Sequence, residues 1–190
     1  MNNSNDDIQP GFVVWITGLP NSGKTTVAKL VQAELKANGI TTVGLDGDNL
    51  RRLFSNRWGY SKAERVELAG AYSRLAEHLS LQGLTVIVSV VAMFDSVYRQ
   101  NRDRIAHYIE VLLDVPYEER LRRDKITAKN VYSSSSYSES IYDRPEGADL
   151  YLQNFGELGP QDVAARIALF VRNRITEGGE SKTPRTGAQQ

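Results

Sequence analysis

The chain has 190 residues, 23 Lys and Arg against 23 Asp and Glu, and no cysteine. Zero formal charge gives no global field drawing it to nucleic acid or a membrane surface, and without thiols there is neither a disulfide framework nor a thiolate metal site. A histidine-based metal site is not expected from His78 and His107 alone, no apolar run reaches the ~18 residues of a membrane span, and Met1 to Pro10 is too polar for a signal peptide.

These limits predict a soluble, cytoplasmic protein with neither nucleic acid nor membrane as partner. Its length suits one domain, here taken as 11–176, between a disordered N-terminus (1–10) and a disordered tail (177–190) rich in Gly, Ser, Thr and Gln. The apolar run Phe12 to Thr17 reads as a strand. Directly after it comes Gly18-Leu19-Pro20-Asn21-Ser22-Gly23-Lys24-Thr25-Thr26, a phosphate-cradling loop between a strand and a helix. Gly18 and Gly23 let consecutive N–H groups face phosphate oxygens, and the helix starting near Lys24 adds its positive N-terminal dipole. Lys24 is expected to reach the β- and γ-phosphates and the Thr25 hydroxyl to bind Mg²⁺, while Pro20 and Asn21 are expected to serve only as turn formers. The whole run Gly18 to Thr26 is therefore the predicted ATP-binding element.

Val27, Leu30, Val31 and Leu35 mark one face of the helix after the loop, with Gly39 as its stop. A strand at Thr42 to Leu45 ends in Asp46-Gly47-Asp48-Asn49, at the sheet edge where ligands of open α/β folds bind. One carboxylate there can hold a Mg²⁺-bound water and the other can accept the proton of an attacking hydroxyl. Asp48 is also the expected N-cap of a short helix through Leu53, with Gly47 bending the chain. Of the arginines that follow, Arg51 and Arg65 are the chosen binders of an anionic acceptor, because they follow these carboxylates most closely at loop and helix starts. Leu68, Tyr72, Leu75, Ala76 and Leu79 stripe a second helix ended by Gly83, and Val163, Ile167, Phe170 and Val171 stripe a third. Further strands are predicted at Leu84 to Val91, Tyr108 to Val115 and Asp149 to Gln153. The alternation means α/β: a P-loop NTPase three-layer sandwich with a five-stranded parallel sheet. Residues 126–144, with Ser133 to Ser136, lack period and apolar density, which fits either a lid or a surface loop without a role.

These residues resemble the adenylylsulfate kinases, which phosphorylate the 3′-hydroxyl of adenylyl sulfate with MgATP. The resemblance runs from Val14 to Leu150 and rests on Trp15 to Leu19, the phosphate loop, Leu45 to Arg51, Gly59-Tyr60-Ser61 with Arg65, Gly83 to Ile87, Arg123-Asp124 and Tyr142 to Pro145. It implies ATP and Mg²⁺ as cofactors, a small nucleotide-like acceptor and a homodimer. It makes Lys24, Asp46 and Asp48 catalytic, Thr25 and Asp46 the metal ligands, and Asp46, Asp48, Arg51, Tyr60 and Arg65 the acceptor site. Departures cluster on the acceptor side: Tyr60 for the family's Phe, Leu68, Gly70 and Ala71 on the next helix, Val91-Ala92-Met93 after the third strand, and the Ser-rich stretch near Ser135 and Tyr137 for a second aromatic wall. Met93-Phe94, Tyr98-Arg99 and Asn101-Arg102 resemble a branch found with surface-polysaccharide enzymes, one of which acts on cytidine diphosphoramidate. A modified cytidine diphosphate is thus the alternative acceptor. A nucleotide-dependent switch fits less well, because a guanine-reading Asn-Lys-x-Asp element is missing, and intact Lys24, Thr25, Asp46 and Asp48 argue against a degenerate kinase that binds ATP without transfer.

Overall fold

The computed structural model describes residues 8–55, 57–134 and 138–178. The expectations for residues 1–7, for the tail beyond 178 and for Ser135 to Tyr137 lie outside the described residues. In chain order the elements are β1 (Val13–Thr17), α1 (Lys24–Ala37), β2 (Thr42–Asp46), α2 (Gly47–Leu53), α3 (Lys62–Ser80), β3 (Thr85–Ser89), α4 (Asp95–Arg104), β4 (Tyr108–Leu113), α5 (Tyr117–Thr127), a 3-10 turn (Glu139–Ile141), β5 (Leu150–Leu152) and α6 (Pro160–Thr176). The strands form one parallel sheet in the order β2-β3-β1-β4-β5. This is the expected three-layer α/β architecture.

Alternation along β1 divides the molecule into two cores. Val14 and Ile16 face α1 and α6, where Val27, Val31, Leu35, Val163, Ile167 and Val171 are buried. Val13 and Trp15 face the opposite layer, with Leu68, Tyr72 and Ala76 of α3 and Phe94 and Val97 around α4. Both faces of β1, β3 and β4 are covered, which is why these strands read as continuous apolar runs and not as alternating ones.

Sequence and structure differ at strand ends. Phe12, Val90 and Val115 are buried just outside the strands, with the Phe12 carbonyl still accepting from the Val86 amide at 2.7 Å and the Val90 amide donating to the Ile16 carbonyl at 3.2 Å, so apolar density runs past the strand ends into packed chain. β2 gains Asp46, in register with Ser89 of β3. Gly39 and Gly83 adopt φ of 78° and 81° just past α1 and α3, as their predicted role as helix stops requires. Among the described residues no helix is long and apolar enough to cross a membrane.

The contact of α1 with α6 should be the stability-limiting one on its face of the sheet. Leu35→Ala, at a fully buried position, is expected to cost about 3 kcal/mol in urea unfolding, whereas Leu169→Ala, on the exposed face of α6, should stay within about 0.5 kcal/mol. Equal effects would contradict the core assignment.

Candidate active site

The cleft lies at the carboxyl edge of the sheet. Gly18 and Gly23 have φ of 150° and 91°, and at Gly18 a Cβ would stand 2.6 Å from the Leu113 carbonyl oxygen and 2.7 Å from Ser22 Oγ. Gly23 is the N-cap of α1 but offers no side-chain acceptor, and the first turn holds no acidic residue. α2 and α3 differ: Asp46 caps the former, and a Ser61–Glu64 capping box closes the latter. The first amides of α1 are thus left to a ligand, and their partial positive charge selects an anion.

Lys24 points back across the loop, donating to the Leu19 carbonyl at 2.9 Å and to Ser22 Oγ at 3.4 Å. Burial pushes its ammonium down to about 7, against the opposing pull of Asp48. A polyphosphate placed beside it would restore the charged form.

Asp46 is the most heavily used carboxylate in the cleft. One oxygen accepts from Thr25 Oγ1 at 2.7 Å and from Ser89 Oγ at 3.1 Å, while the other accepts the amides of Asp48 and Asn49 at 3.1 and 3.2 Å. Burial alone would raise its pKa, but these donors together hold it below the usual carboxylate value, so it is ionised. The N-cap of α2 is therefore Asp46 and not Asp48, since Asp46 keeps extended backbone angles and its side chain reaches the free amides. Gly47 takes no left-handed conformation; space constrains it instead, since a Cβ would meet Val90 Cγ1 at 3.1 Å. Asp48 sits in the first turn of α2, exposed to the cleft, and among the described residues its carboxylate makes no hydrogen bond or ion pair.

Arg51 and Arg65 are aimed by backbone carbonyls. Arg51 Nη1 donates to the carbonyls of Trp58 and Gly59, and Arg65 donates from Nε to the Tyr60 carbonyl at 2.8 Å and from Nη1 to the Tyr142 hydroxyl at 3.0 Å. Glu64 in turn fixes the amides of Gly59 and Ser61, so the capping box of α3 also sets the turn carrying those carbonyls. The Tyr60 ring lies 4.8 Å from the Arg51 guanidinium and 5.2 Å from that of Arg65. Two cations and an exposed aromatic face share this end of the cleft.

One cavity of about 730 Å³ joins these groups, from Lys24 and Thr25 past Asp46 and Asp48 to Arg51, Tyr60 and Arg65. Its acceptor-side wall includes Leu68, Ala69, Val90, Val91 and Ala92, all apolar. Among the described residues no group of three or more His, Cys, Asp or Glu side chains could hold a metal ion, so a divalent cation here would need a nucleotide's phosphates as ligands.

Several residues at the cleft were not read as site residues from the sequence. Ser89 was legible only through the register that brings it to Asp46. Tyr72 supports α2 by donating to the Gly47 carbonyl at 3.1 Å. Asn21, part of the predicted loop, does more than turn the chain, because its side-chain amide donates to Asp124 at 2.8 Å. Asn154, just past β5, donates to the Ser22 carbonyl at 2.8 Å, and its own carbonyl accepts from Arg123. Tyr142 gives the acceptor end a second aromatic ring, from a segment whose sequence carries no period. Of the predicted lid, the described flanks are tethered: the Tyr132 hydroxyl to the Pro20 carbonyl at 2.6 Å, and the Asp143 amide to the Met93 carbonyl at 2.8 Å.

Comparison with known proteins agrees with this geometry. The family model for adenylylsulphate kinase matches residues 10–153. The bifunctional enzyme NodQ of Rhizobium tropici is 34% identical over 177 residues, 89% of this chain; the aligned part is only 28% of that protein's length. The cytidine diphosphoramidate kinase of Campylobacter jejuni is 31% identical over 75% of this chain and 86% of its own. The solved structure of the Mycobacterium tuberculosis APS kinase CysC, in complex with AMPPNP and APS, superposes with a TM-score of 0.77 at 31% identity, covering 86% of this chain and 98% of that one. With the family model spanning the phosphate loop, the Asp46 turn and the arginine end of one cleft, the chain belongs to the adenylylsulfate kinase family of phosphotransferases.

Proposed function

We propose that the chain transfers the γ-phosphoryl group of MgATP to a hydroxyl, the ribose 3′-hydroxyl, of a nucleotide-like acceptor. The observation that carries this reading is the continuity of one cleft from Lys24 and Thr25, past the Asp48 carboxylate, to Arg51 and Arg65. Donor and acceptor can lie end to end in it, with the transferring group between them.

The amides at the start of α1 and the Lys24 ammonium hold the phosphates in this reading. Thr25 and Asp46 fit a magnesium ion, being adjacent hard oxygen donors with the carboxylate ionised. Bound with the nucleotide, that ion supplies positive charge at the β- and γ-phosphates. Asp46 is committed to Thr25, Ser89 and two amides, whereas Asp48 has no such partners, and this division supports Asp48 as the base. Asp48 takes the hydroxyl proton as the acceptor oxygen bonds to phosphorus, and the bond to the bridging oxygen of ADP breaks beside Lys24. Arg51 and Arg65 bind the acceptor's anionic group, and Tyr60 stacks on its ring.

Adenylyl sulfate is the first acceptor to test. A modified cytidine diphosphate is the second, favoured by the apolar wall of Leu68, Val91 and Ala92, which presents no side-chain hydrogen bond to a purine edge, and by the Campylobacter jejuni relative. A coupled ADP-release assay with adenylyl sulfate and with cytidine diphosphoramidate, using Lys24→Ala as the blank, separates them. Turnover in the family range with either identifies the acceptor; wild-type turnover by the Lys24→Ala blank would sink the proposed site.

Asp48→Asn should lower kcat by about a hundredfold or more while the ADP dissociation constant changes less than about threefold, as for a group acting in the transition state. Comparable losses in both would make Asp48 structural. Lys24 gives a pH signature as well. Its ammonium is half neutral near pH 7 in the free protein, and bound polyphosphate favours the charged form. Nucleotide binding at pH 8 should therefore take up a proton, and affinity should fall as pH rises above about 7. Calorimetry in two buffers of different ionisation enthalpy should show the uptake, and Lys24→Met should abolish it; identical heats for the wild type would refute the lowered pKa.

A further inference from the structure

The carbonyl groups of the phosphate loop are held from outside. The Tyr132 hydroxyl donates to the carbonyl of Pro20 at 2.6 Å, Arg123 Nη1 to that of Asn21 at 3.3 Å, and the Asn154 amide to that of Ser22 at 2.8 Å. In a planar trans peptide the C=O and the next N–H point oppositely, so anchoring the Pro20 and Ser22 carbonyls fixes the direction of the Asn21 and Gly23 amides.

Asp124 links this system to the segment after α5. Its Oδ1 accepts both the Asn21 side-chain amide at 2.8 Å and the backbone amide of Val131 at 3.2 Å, and its Oδ2 accepts the amide of Tyr132 at 3.4 Å. Tyr132 then returns to the loop through its hydroxyl, which also accepts from Arg120 Nη1 at 2.9 Å. The result is a closed ring: loop, carboxylate, segment, loop. Asp124 is only 5% exposed and has no ion pair among the described residues, so each amide donor it loses leaves buried charge unsatisfied. Between Asp124 and Val131 the chain turns through Ala128 and Asn130 at φ of 51° and 54°, left-handed backbone that asparagine tolerates and alanine adopts only at a cost. That turn carries Lys129, which lines the cleft and lies near enough to Lys24 to disfavour its charge.

We infer that Asp124 is a positioning residue, one carboxylate that makes the phosphate loop and residues 128–134 a single mechanical unit, so that loop amides and Lys129 are set together. The ring itself is independent of the proposed reaction; its consequence for nucleotide affinity rests on the phosphate-loop reading above.

Hydrogen exchange on the free full-length chain tests the ring. Asn21→Gly removes the side-chain amide and tolerates the φ of 61° at that position, yet touches neither Val131 nor Tyr132. It should speed exchange in residues 128–134 by about tenfold, the loss expected for one hydrogen bond to a charged group, without altering β1 or β4. Asp124→Ala should do the same, Asp124→Asn should do so partially, and Asn21→Gly should add nothing in the Asp124→Ala background. Unchanged exchange at 128–134 in Asn21→Gly, or additive effects in the double variant, would overturn the inference. With MgADP as probe, Asp124→Ala should weaken binding by about tenfold, and Asp124→Asn should restore part of it. A wild-type chain that fails to bind MgADP would refute the proposed function, while the exchange coupling in the free protein would still decide for or against the ring.

Discussion

The cleft depends on one ionised carboxylate that ties four elements together. Asp46 ends β2, caps α2 and accepts from Thr25 of α1 and Ser89 of β3. Its bonds set the distance between the phosphate loop and the turn that carries Asp48, and through α2 they set where Arg51 begins. Protonating or replacing it would loosen the cap of α2 and free Thr25 together. A short helix of seven residues cannot hold its own position by propensity, so the carboxylate does that work.

Much of the fold was legible because buried parallel strands leave a simple mark. Val13 to Thr17, Thr85 to Ser89 and Tyr108 to Leu113 are buried on both faces and mostly apolar, and helices with a 3.6-residue period separate them. Strand ends are less legible, since Phe12, Val90 and Val115 keep the composition of the core just outside the strands. Within the cleft, the loop and the acidic turn were visible as local motifs, because their chemistry needs residues adjacent in sequence. The capping role was assigned to the wrong aspartate, since composition around Asp46 and Asp48 is symmetric and only backbone angles distinguish them. The bonds of Asn21 to Asp124, Tyr132 to Pro20 and Asn154 to Ser22 are not legible for another reason: each joins residues about a hundred positions apart, and no local pattern records such a pairing.

The two ends of the cleft obey different constraints. At the phosphate end the ligand meets backbone amides and a lysine whose geometry the loop fixes, which leaves little room for variation. At the arginine end the cleft is lined by side chains: Arg51 of α2, Tyr60 between α2 and α3, Arg65 of α3 and Tyr142. Specificity can thus shift between related acceptors while the transfer chemistry stays in place, as expected where a site is carried on a common scaffold.

The packing of α1 against α6 has a consequence for how the protein comes into being. The loop sits at the start of α1, the second element, but α1 completes its burial only against Val163, Ile167 and Val171 of the last helix, and Asn154 reaches Ser22 from beyond β5. A nascent chain would therefore expose the apolar face of α1 throughout synthesis of the intervening elements, with no complete nucleotide site until residues 160–176 had emerged. Until the last helix emerges, that apolar face lacks its helical partner within the chain.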